Sequence, residues 1–493
     1  MPMDSMDAAQ PANAGSERGL AMSTVALEKN PTFWYYGSAS IAYGIKNNAF
    51  SYLLLIYANQ VLGLPGYKAS IALAIAMLWD AVSDLFLGHW SDKTHSRLGR
   101  RHPFMYAAFF LLPITFYGLF NPVVTLSSED QTFIYVLVFA LLIRTGTTLF
   151  EVPSTALLPD LEQDYDRRNK WLALRHAFGW TGGNGIHMIN FAFWVGAYGV
   201  AVQAGYSIYG LVGALVIAAA ILVSAAGTQK VAAAMPPPDE PFRLREIRRE
   251  IMQIFQSLSN KNFAALFFYG LTVGIAGGLG TALYLYNTTY FFGFTGAQIS
   301  VTAIGVLISP LIAYWAAPYF GQRYGKKKAA IGAILVNIAL YPMPYILLLM
   351  DYWPPLGSWA SLYIYSLFII VEVVCGIIGG VLLDSMMADV VEDSELKTNR
   401  RSEGLFYAAR GFAAKAISAG GIVGAGTIVS LVGLDGVTSV DDVTREIRTD
   451  LASLFLPLYC GLYIVGLVIV SRYRITRDDH EEHLAALAER KVN

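Results

Sequence analysis

The stretch WDAVSDLFLGHWSDKTHSRLGRRHPF, residues 79–104, decides how the rest of the chain is read. It opens with two acids, Asp80 and Asp84, inside an apolar run, and it closes in a block of bases, Arg97, Arg100, Arg101 and His102. An acid in hydrocarbon costs about 3 kcal/mol on insertion scales, so two of them one helical turn apart need a compensating partner or a function. A basic turn directly after an apolar run marks the cytoplasmic side of a membrane. The stretch therefore reads as a cation site on a transport helix, followed by a gate.

Composition agrees. Of 493 residues, 55% are hydrophobic and 14% charged, and a mean hydropathy of +0.46 is more apolar than a soluble surface tolerates. The chain is expected to be an all-α membrane protein. Cys375 and Cys460 both lie in apolar segments, which argues against a disulfide framework or a cysteine metal centre. The first 32 residues are polar and Ala-rich, with Asp4, Asp7 and Glu17, and read as a disordered cytoplasmic tail rather than a signal peptide. From there apolar runs arrive at a spacing suited to about twelve spans of about 20 residues, placed at 34–58, 67–90, 104–123, 132–158, 171–195, 206–226, 263–294, 299–320, 329–349, 359–381, 405–431 and 451–470. Bases cluster in alternate loops: Lys93, Arg97, Arg100 and Arg101; Arg167, Arg168 and Lys170; Arg323, Lys326, Lys327 and Lys328; Lys397, Arg400 and Arg401. That asymmetry predicts a plasma membrane protein, in the inner membrane if the source is bacterial, with both termini cytoplasmic.

The glycine-arginine turn after the second span has a counterpart six spans later in FGQRYGKKKA, where Gly325 is followed by bases. Two parallel six-helix halves joined by a long cytoplasmic connection describe the major facilitator architecture. The expected boundaries are 33–227 and 263–472 for the halves, 228–262 for the linker and 473–493 for a cytoplasmic tail. The linker opens with Pro236, Pro237 and Pro238, then sets Leu244, Ile247, Ile251, Phe255 and Leu258 against Arg245, Arg248 and Arg249. That pattern suits an amphipathic helix on the inner leaflet.

Ionisable residues well inside the spans are Lys46, Asp80, Asp84, Arg144, Glu151, Arg175, His176, His187, Glu372, Arg410 and Lys415; the third, sixth, ninth and twelfth spans have none. This is what a fourfold repeat of three-helix units with a lipid-facing third helix requires. Asp80 and Asp84, with Ser83 beside them, share one face of a helix. Hard oxygens of this kind suit sodium, or one shared proton. Arg144, Thr148, Glu151 and Thr155 form a polar stripe on the fourth span. Buried ties of Arg144 to Glu151 or of Asp80 to Lys415 are the structural alternative. Arg410 and Lys415 lie about 140° apart around their helix, so one of them is structural. His176 and His187 read as hydrogen-bonded packing residues, and Gly182, Gly183, Gly420, Gly421 and Gly424 as close-packing positions.

These residues resemble the glycoside-pentoside-hexuronide cation symporters, the melibiose permease family. WDAVSD looks like that family's helix 2 signature, and DSMMADVVEDSELKTNRRSEGLFYAARGFAAK, residues 384–415, looks like its signature across helices 10 and 11. The resemblance implies a cation site at Asp80, Ser83, Asp84 and Thr148, coupled to Lys415, with sodium at Asp80 and Asp84. It also implies that Glu151 and Arg175 hold sugar hydroxyls. Leu85 stands where the family often has proline, Glu151 replaces an aspartate, and Thr155 replaces a tryptophan that lies against the sugar ring. An excess of bases near the midplane suggests an anionic group such as a uronate on the substrate. The residues expected to bind it are Lys46, Asn47, Arg144, Glu151, Thr155, Arg175 and Arg410. The segment from Gly88 through Asp92, Arg97, Gly99, Arg100 and Arg101 resembles the family's cytoplasmic gate.

The sequence also resembles vertebrate sodium-dependent lysophospholipid carriers through the helix 2 acids and the helix 11 lysine, so uptake of a lysolipid is the alternative. An intramembrane protease fits less well: its two acids must face each other from separate segments, and no GxGD occurs. A non-transporting sensor fits less well because neither tail is long enough for a signalling domain. The expected function is therefore symport by alternating access, not enzymatic catalysis. The expected partners are a small-molecule substrate, a coupling Na+ or H+ and the lipid bilayer, with no cofactor, no nucleic acid and a monomeric chain.

Overall fold

The computed structural model describes residues 30–162, 164–234, 258–398, 418–476, 478–483 and 486. The first 29 residues, residues 235–257 of the expected linker 228–262, and the bases Arg400, Arg401, Arg410 and Lys415 lie outside the described residues. What is described is helical, with no strand among the described residues. Long helices follow one another as α1 Pro31–Asn48, α2 Gly66–Asp92, α3 His102–Phe120, α4 Glu129–Ala156, α5 Tyr165–Phe193, α6 Gln203–Ala233, α7 Lys261–Tyr286, α8 Gly296–Tyr324, α9 Lys326–Leu340, α10 Trp359–Thr398, α11 Ser418–Leu431 and α12 Arg445–Val470. Among the described residues, nine of these are long and apolar enough to cross a membrane. The other three are α1, α5 and α11. α5 owes its low hydropathy to the polar series Arg175, Asn184, His187 and Asn190, all buried inside the protein.

Starts are set by side-chain caps that satisfy the first free N–H groups. Asn30, Ser128, Asp164, Asn260 and Thr444 each accept from the backbone of their helix, and Thr295 with Gln298 forms a capping box. Two elements depart from simple spans. α1 continues through the wider turns Ala49–Leu53 and Tyr57–Val61, and α7 through Asn287–Phe291. α9 stops at Leu340, just ahead of Pro342, and resumes as Met343–Leu349. Proline removes a backbone donor and disfavours helix at the residue before it, which accounts for that break. α10 runs far past the expected end at 381, so the acids Asp389, Glu392 and Asp393 stand on helix rather than loop.

Packing repeats with a period of six. In the first six helices α2 packs on α4, α3 on α4, α1 on α6 and α3 on α6; in the last six α8 packs on α10, α9 on α10, α7 on α12 and α9 on α12. The third helix of each unit turns broad apolar surface outward, as at Ile114, Leu215, Leu335 and Val468, and α8 adds Tyr314 and Trp315.

The two groups of six meet through α5 against α8 and through α2 against α11. Both contacts are sealed by glycine at the face opposite the basic loops. A Cβ on Gly426 would lie 2.2 Å from the Gly66 carbonyl oxygen, and one on Gly296 would lie 2.0 Å from Gly196 Cα. Around the first seal, Asp435 Oδ1 accepts from Asn59 Nδ2 at 2.6 Å and from the Gly66 amide at 2.8 Å, and Gln60 Nε2 donates to the Leu434 carbonyl at 2.7 Å. Gly63 and Gly293, at φ +72° and +71°, make the turns that deliver α2 and α8 to these seals. Of the glycines expected to allow close packing, Gly182, Gly183 and Gly421 do so, with added Cβ atoms 3.2 Å from Ile41 Cα, 2.7 Å from Gly44 O and 2.6 Å from Ile275 O. Gly420 and Gly424 have ordinary contacts.

Replacing Gly426 with valine is expected to part the halves at this face by overpacking of about 1–3 kcal/mol, since the added atoms would meet the Gly66 carbonyl oxygen at 2.2 Å and the short Ser70 side chain at 2.4 Å. In a chain with Cys375 and Cys460 changed to serine, thiol labelling of Ala58→Cys measures this: labelling rises in the Gly426→Val background, and unchanged labelling would remove the seal.

Candidate substrate and cation site

α1, α2, α4, α7 and α11 enclose a cavity of about 300 Å³. Seven of the residues singled out in the sequence line it: Lys46, Asn47, Asp80, Asp84, Arg144, Thr148 and Glu151. The uncharged Tyr43, Ser51, Thr147, Thr281 and Ser418 complete much of the wall. Sequence reading passed over these because a hydroxyl inside a span costs little and leaves no charge signal.

At the α2 end the polar atoms converge. Asp80, Ser83, Arg144 and Thr148 are all buried. Arg144 Nη1 lies 3.2 Å from Asp80 Oδ2, and the Thr148 hydroxyl lies 3.2 Å from Asp80 Oδ1 and 3.0 Å from Ser83 Oγ. The Arg144 guanidinium also sits over the Phe50 ring, 4.1 Å from its centroid, so one face of the cation rests on a quadrupole. Asp84 lines the cavity one turn further along α2. Two carboxylates and two hydroxyls are ligands a small hard cation would use, and Arg144 already holds one of those carboxylates. A cation arriving at Asp80 must compete with that guanidinium.

Two turns along α4, a second pair forms. Arg175 Nη2 donates to Glu151 Oε1 at 2.8 Å and to Ser154 Oγ at 3.1 Å, and its guanidinium lies 5.0 Å from the centre of the Tyr36 ring. Thr155 Oγ1 donates to the same Glu151 oxygen at 3.4 Å. Glu151 Oε2 and Arg175 Nη1 are buried without a hydrogen-bond partner. One spare acceptor and one spare donor on a fixed ion pair suit a vicinal diol or a similar hydroxylated group. The ties are thus Arg144 to Asp80 and Arg175 to Glu151. The Arg144 to Glu151 tie does not form, because residues seven apart on α4 present their tips to different neighbouring helices. Lys46 is buried, with its ammonium 4.7 Å from the Tyr43 ring centre.

The histidines differ from expectation. His176 is exposed on α5. His187 is buried and packs against Tyr52 and Phe191, with ring centroids 5.0 and 4.9 Å away, yet its Nδ1 makes no hydrogen bond.

On the basic face, Arg101 is the hub. Its guanidinium donates to Asp92 Oδ1 at 2.8 Å and also reaches Asp160 and the Ala156 carbonyl, while Arg100 donates to both Asp160 oxygens at 2.9 Å. Gly99 has φ +92°, and a Cβ there would lie 3.0 Å from the Ala232 carbonyl oxygen, so the turn is reserved for glycine. Gly88 faces Val152 across α4 without crowding, and Arg97 is exposed. In the second half, Gly325 has φ +82° and Lys326 Nζ donates to Asp389 Oδ1 at 2.6 Å. Burial and the Asp389 carboxylate hold the Tyr473 hydroxyl well above its usual range, and it donates to Asp389 Oδ2 at 3.2 Å. Each of these ties runs within one group of six helices. Asp160 escaped the sequence reading, although PDLEQD and ADVVED, with Asp160 and Asp389 in matching places, carried the signal.

Comparison with known proteins gives the family. A family model described as MFS/sugar transport protein matches residues 35–477. The chain is 31% identical over 160 residues to an uncharacterized symporter of Synechocystis, a match covering 31% of this chain and 29% of that protein. It is 23% identical over 495 residues to the sodium-dependent lysophosphatidylcholine symporter 1 of Gallus gallus, covering 92% and 88% of the two chains. It is 22% identical over 449 residues to a glucuronide carrier protein homolog of Escherichia coli, covering 89% and 91%. Among solved structures, the nucleoside transporter NupG superposes with a TM-score of 0.58 at 14% identity, covering 90% of this chain and 99% of that one, which is a likeness of fold.

The Asp160 carboxylate is part-buried, its side chain 18% exposed, whereas that of Asp92 is 49% exposed. Asp160→Asn is expected to cost about 2 kcal/mol and Asp92→Asn about 1 kcal/mol or less. Thermal unfolding of the purified variants, followed by tryptophan fluorescence, measures the difference; equal melting temperatures would mean that the less exposed tie is not the stronger one.

Proposed function

Because the chain belongs to the MFS/sugar transport protein family, and is thereby a membrane transporter rather than an enzyme, we propose that it is a cation-coupled symporter of a glycoside, with a hexuronide as the favoured class. The observation that carries the reading is two charge clusters that meet one cavity: Asp80, Arg144 and Thr148 line it with Ser83 bonded behind Thr148, and Glu151 lines it two turns away with Arg175 paired behind it. The glucuronide carrier homolog of Escherichia coli supports the substrate class. Both termini and the basic loops face the cytoplasm in this reading, in the plasma membrane or a bacterial inner membrane, and the chain acts as a monomer. Residues 33–227 and 263–472 move as the two bodies, joined by 228–262.

Coupling follows from competition. With no ion bound, Arg144 neutralises Asp80. Sodium or a proton at Asp80 and Asp84, assisted by Thr148 and Ser83, releases the guanidinium. Arg144 then joins Lys46 and Arg175 in attracting the anionic group, while Glu151 and Asn47 take hydroxyls and Thr155 steadies Glu151. Lys415 and Arg410, outside the described residues, are assigned to coupling and to the substrate respectively. The halves then rock about the filled site. On the basic face the ties of Asp92, Arg100, Arg101 and Asp160 keep each half rigid and form a gate with Gly88, Arg97 and Gly99.

Uptake into proteoliposomes of neutral glycosides, glucuronides and lysolipids, under imposed sodium or proton gradients, tests this. Gradient-driven accumulation of a glycoside is expected, and accumulation of lysolipid alone would replace the reading by the carrier activity named for the Gallus gallus relative. Asp80→Asn is expected to abolish cation-dependent accumulation while insertion is retained. Glu151→Gln is expected to raise the KM about tenfold or more, the loss of one charged hydrogen bond. Undiminished gradient-driven uptake by Asp80→Asn would remove the cation-site assignment.

A further inference from the structure

A second chamber of about 110 Å³ lies beside the first, and Thr281 lines both. Its walls are ring faces: Tyr52 from α1, Tyr284 from α7, Tyr341 at the end of α9 and Tyr365 from α10. Three polar side chains in the same wall are not satisfied by the protein. Asn287 is 1% exposed, and neither its Nδ2 nor its Oδ1 has a hydrogen-bond partner. His187 is 5% exposed with Nδ1 unpartnered. Glu372 has one long bond, 3.5 Å from the Tyr459 hydroxyl, and makes no ion pair with any described base. A buried polar group left unpaired costs about 1–3 kcal/mol, so a chamber keeping two of them, beside a carboxylate held by a single long bond, is built to be completed by something that binds.

The chemistry of these atoms narrows the occupant. Asn287 Nδ2 needs an acceptor, while Asn287 Oδ1 and Glu372 need donors. An acyl chain supplies neither. An ammonium supplies donors only and leaves Nδ2 idle, and an anion would face Glu372. Hydroxyl groups supply both roles at once, and the C–H faces of a saturated ring lie well against aromatic walls. The volume holds about one ring.

We propose that this chamber is a second-ring subsite, taking a neutral hydroxylated ring joined to the group held at Glu151 and Arg175. The transported substrate is then a glycoside of at least two rings, with its charged ring toward α4 and α5 and its neutral ring toward α7 and α10. The inference rests on the sugar reading given above.

Isothermal titration of the purified full-length protein tests it, using methyl glucosides, galactosides and glucuronides, each paired with a disaccharide carrying the same ring. The two-ring ligand is expected to bind the wild type about tenfold tighter than its methyl glycoside. Asn287→Ala and Glu372→Gln are each expected to erase that advantage while leaving methyl glycoside affinity unchanged, which also certifies that the variants are folded. An advantage that survives both substitutions overturns the subsite and leaves sugar transport standing, as does equal weakening of both ligands. Tight binding of an alkylammonium that Glu372→Gln removes would reassign the chamber to a cation. Absence of binding by every glycoside to the wild type would overturn the sugar reading and the subsite together.

Discussion

A carboxylate in the middle of a membrane has to be answered by a base or by a bound ion, and the architecture of the first six helices is arranged around two such answers. Asp80 is met by Arg144 and Glu151 by Arg175. The first pair ties α2 to α4 and the second ties α4 to α5. Both depend on α4, where Arg144 and Glu151 stand seven residues apart, on nearly one face and roughly 10 Å apart along the axis. α4 therefore acts as a ruler between the two pairs, which in the proposed mechanism are the coupling atoms and the substrate atoms. A buried pair of this kind adds little net stability compared with an apolar substitute, which is why its presence points to transport rather than to holding the bundle together.

The same economy explains the asymmetry between the two faces. Near the basic loops, charge is concentrated in Arg101, Asp92, Asp160, Lys326 and Asp389, and its bonds stay inside each group of six. At the opposite face the groups meet each other, through glycines and a small set of hydrogen bonds centred on Asp435 and Asn59. Rigid bodies braced internally at one end and touching at the other are the arrangement that rocking requires.

Much of the site was readable before the structure because charge inside an apolar span is rare and helical spacing is regular. Asp80, Asp84 and Thr148 needed no more than that, and the stripe on α4 is where its spacing put it. Partner choice was not readable. Spacing along α4 says that Arg144 and Glu151 share a side, but only the packing of α2 and α5 on either flank decides that each reaches outward rather than to the other. Asp160 was hidden for a different reason: it sits where α4 leaves the membrane, among other acids, so it carries no anomaly of its own. Asn287 was hidden because an amide near the end of a span looks like a cap. The wide turns in α1 and α7 change which residues face inward, and they come from contact between the halves, which no local propensity encodes. The long α10 was misjudged because its last turns are polar and are stabilised by Lys326, Tyr473 and His480 from elsewhere.

The glycine seals have a consequence for how the two faces answer to their surroundings. Where Gly66 lies against Gly426 and Gly196 against Gly296, main chain touches main chain through short-range dispersion, and the one charge bonded into the first seal is the Asp435 carboxylate. Dispersion is indifferent to ionic strength. The arginine and lysine ties on the other face are partly exposed, and counterions screen them over about 8 Å at physiological salt. Salt thus acts more on one end of the molecule than on the other, so the ionic composition of the medium biases the rocking equilibrium more through the stiffness of each half than through the strength of the closure between them.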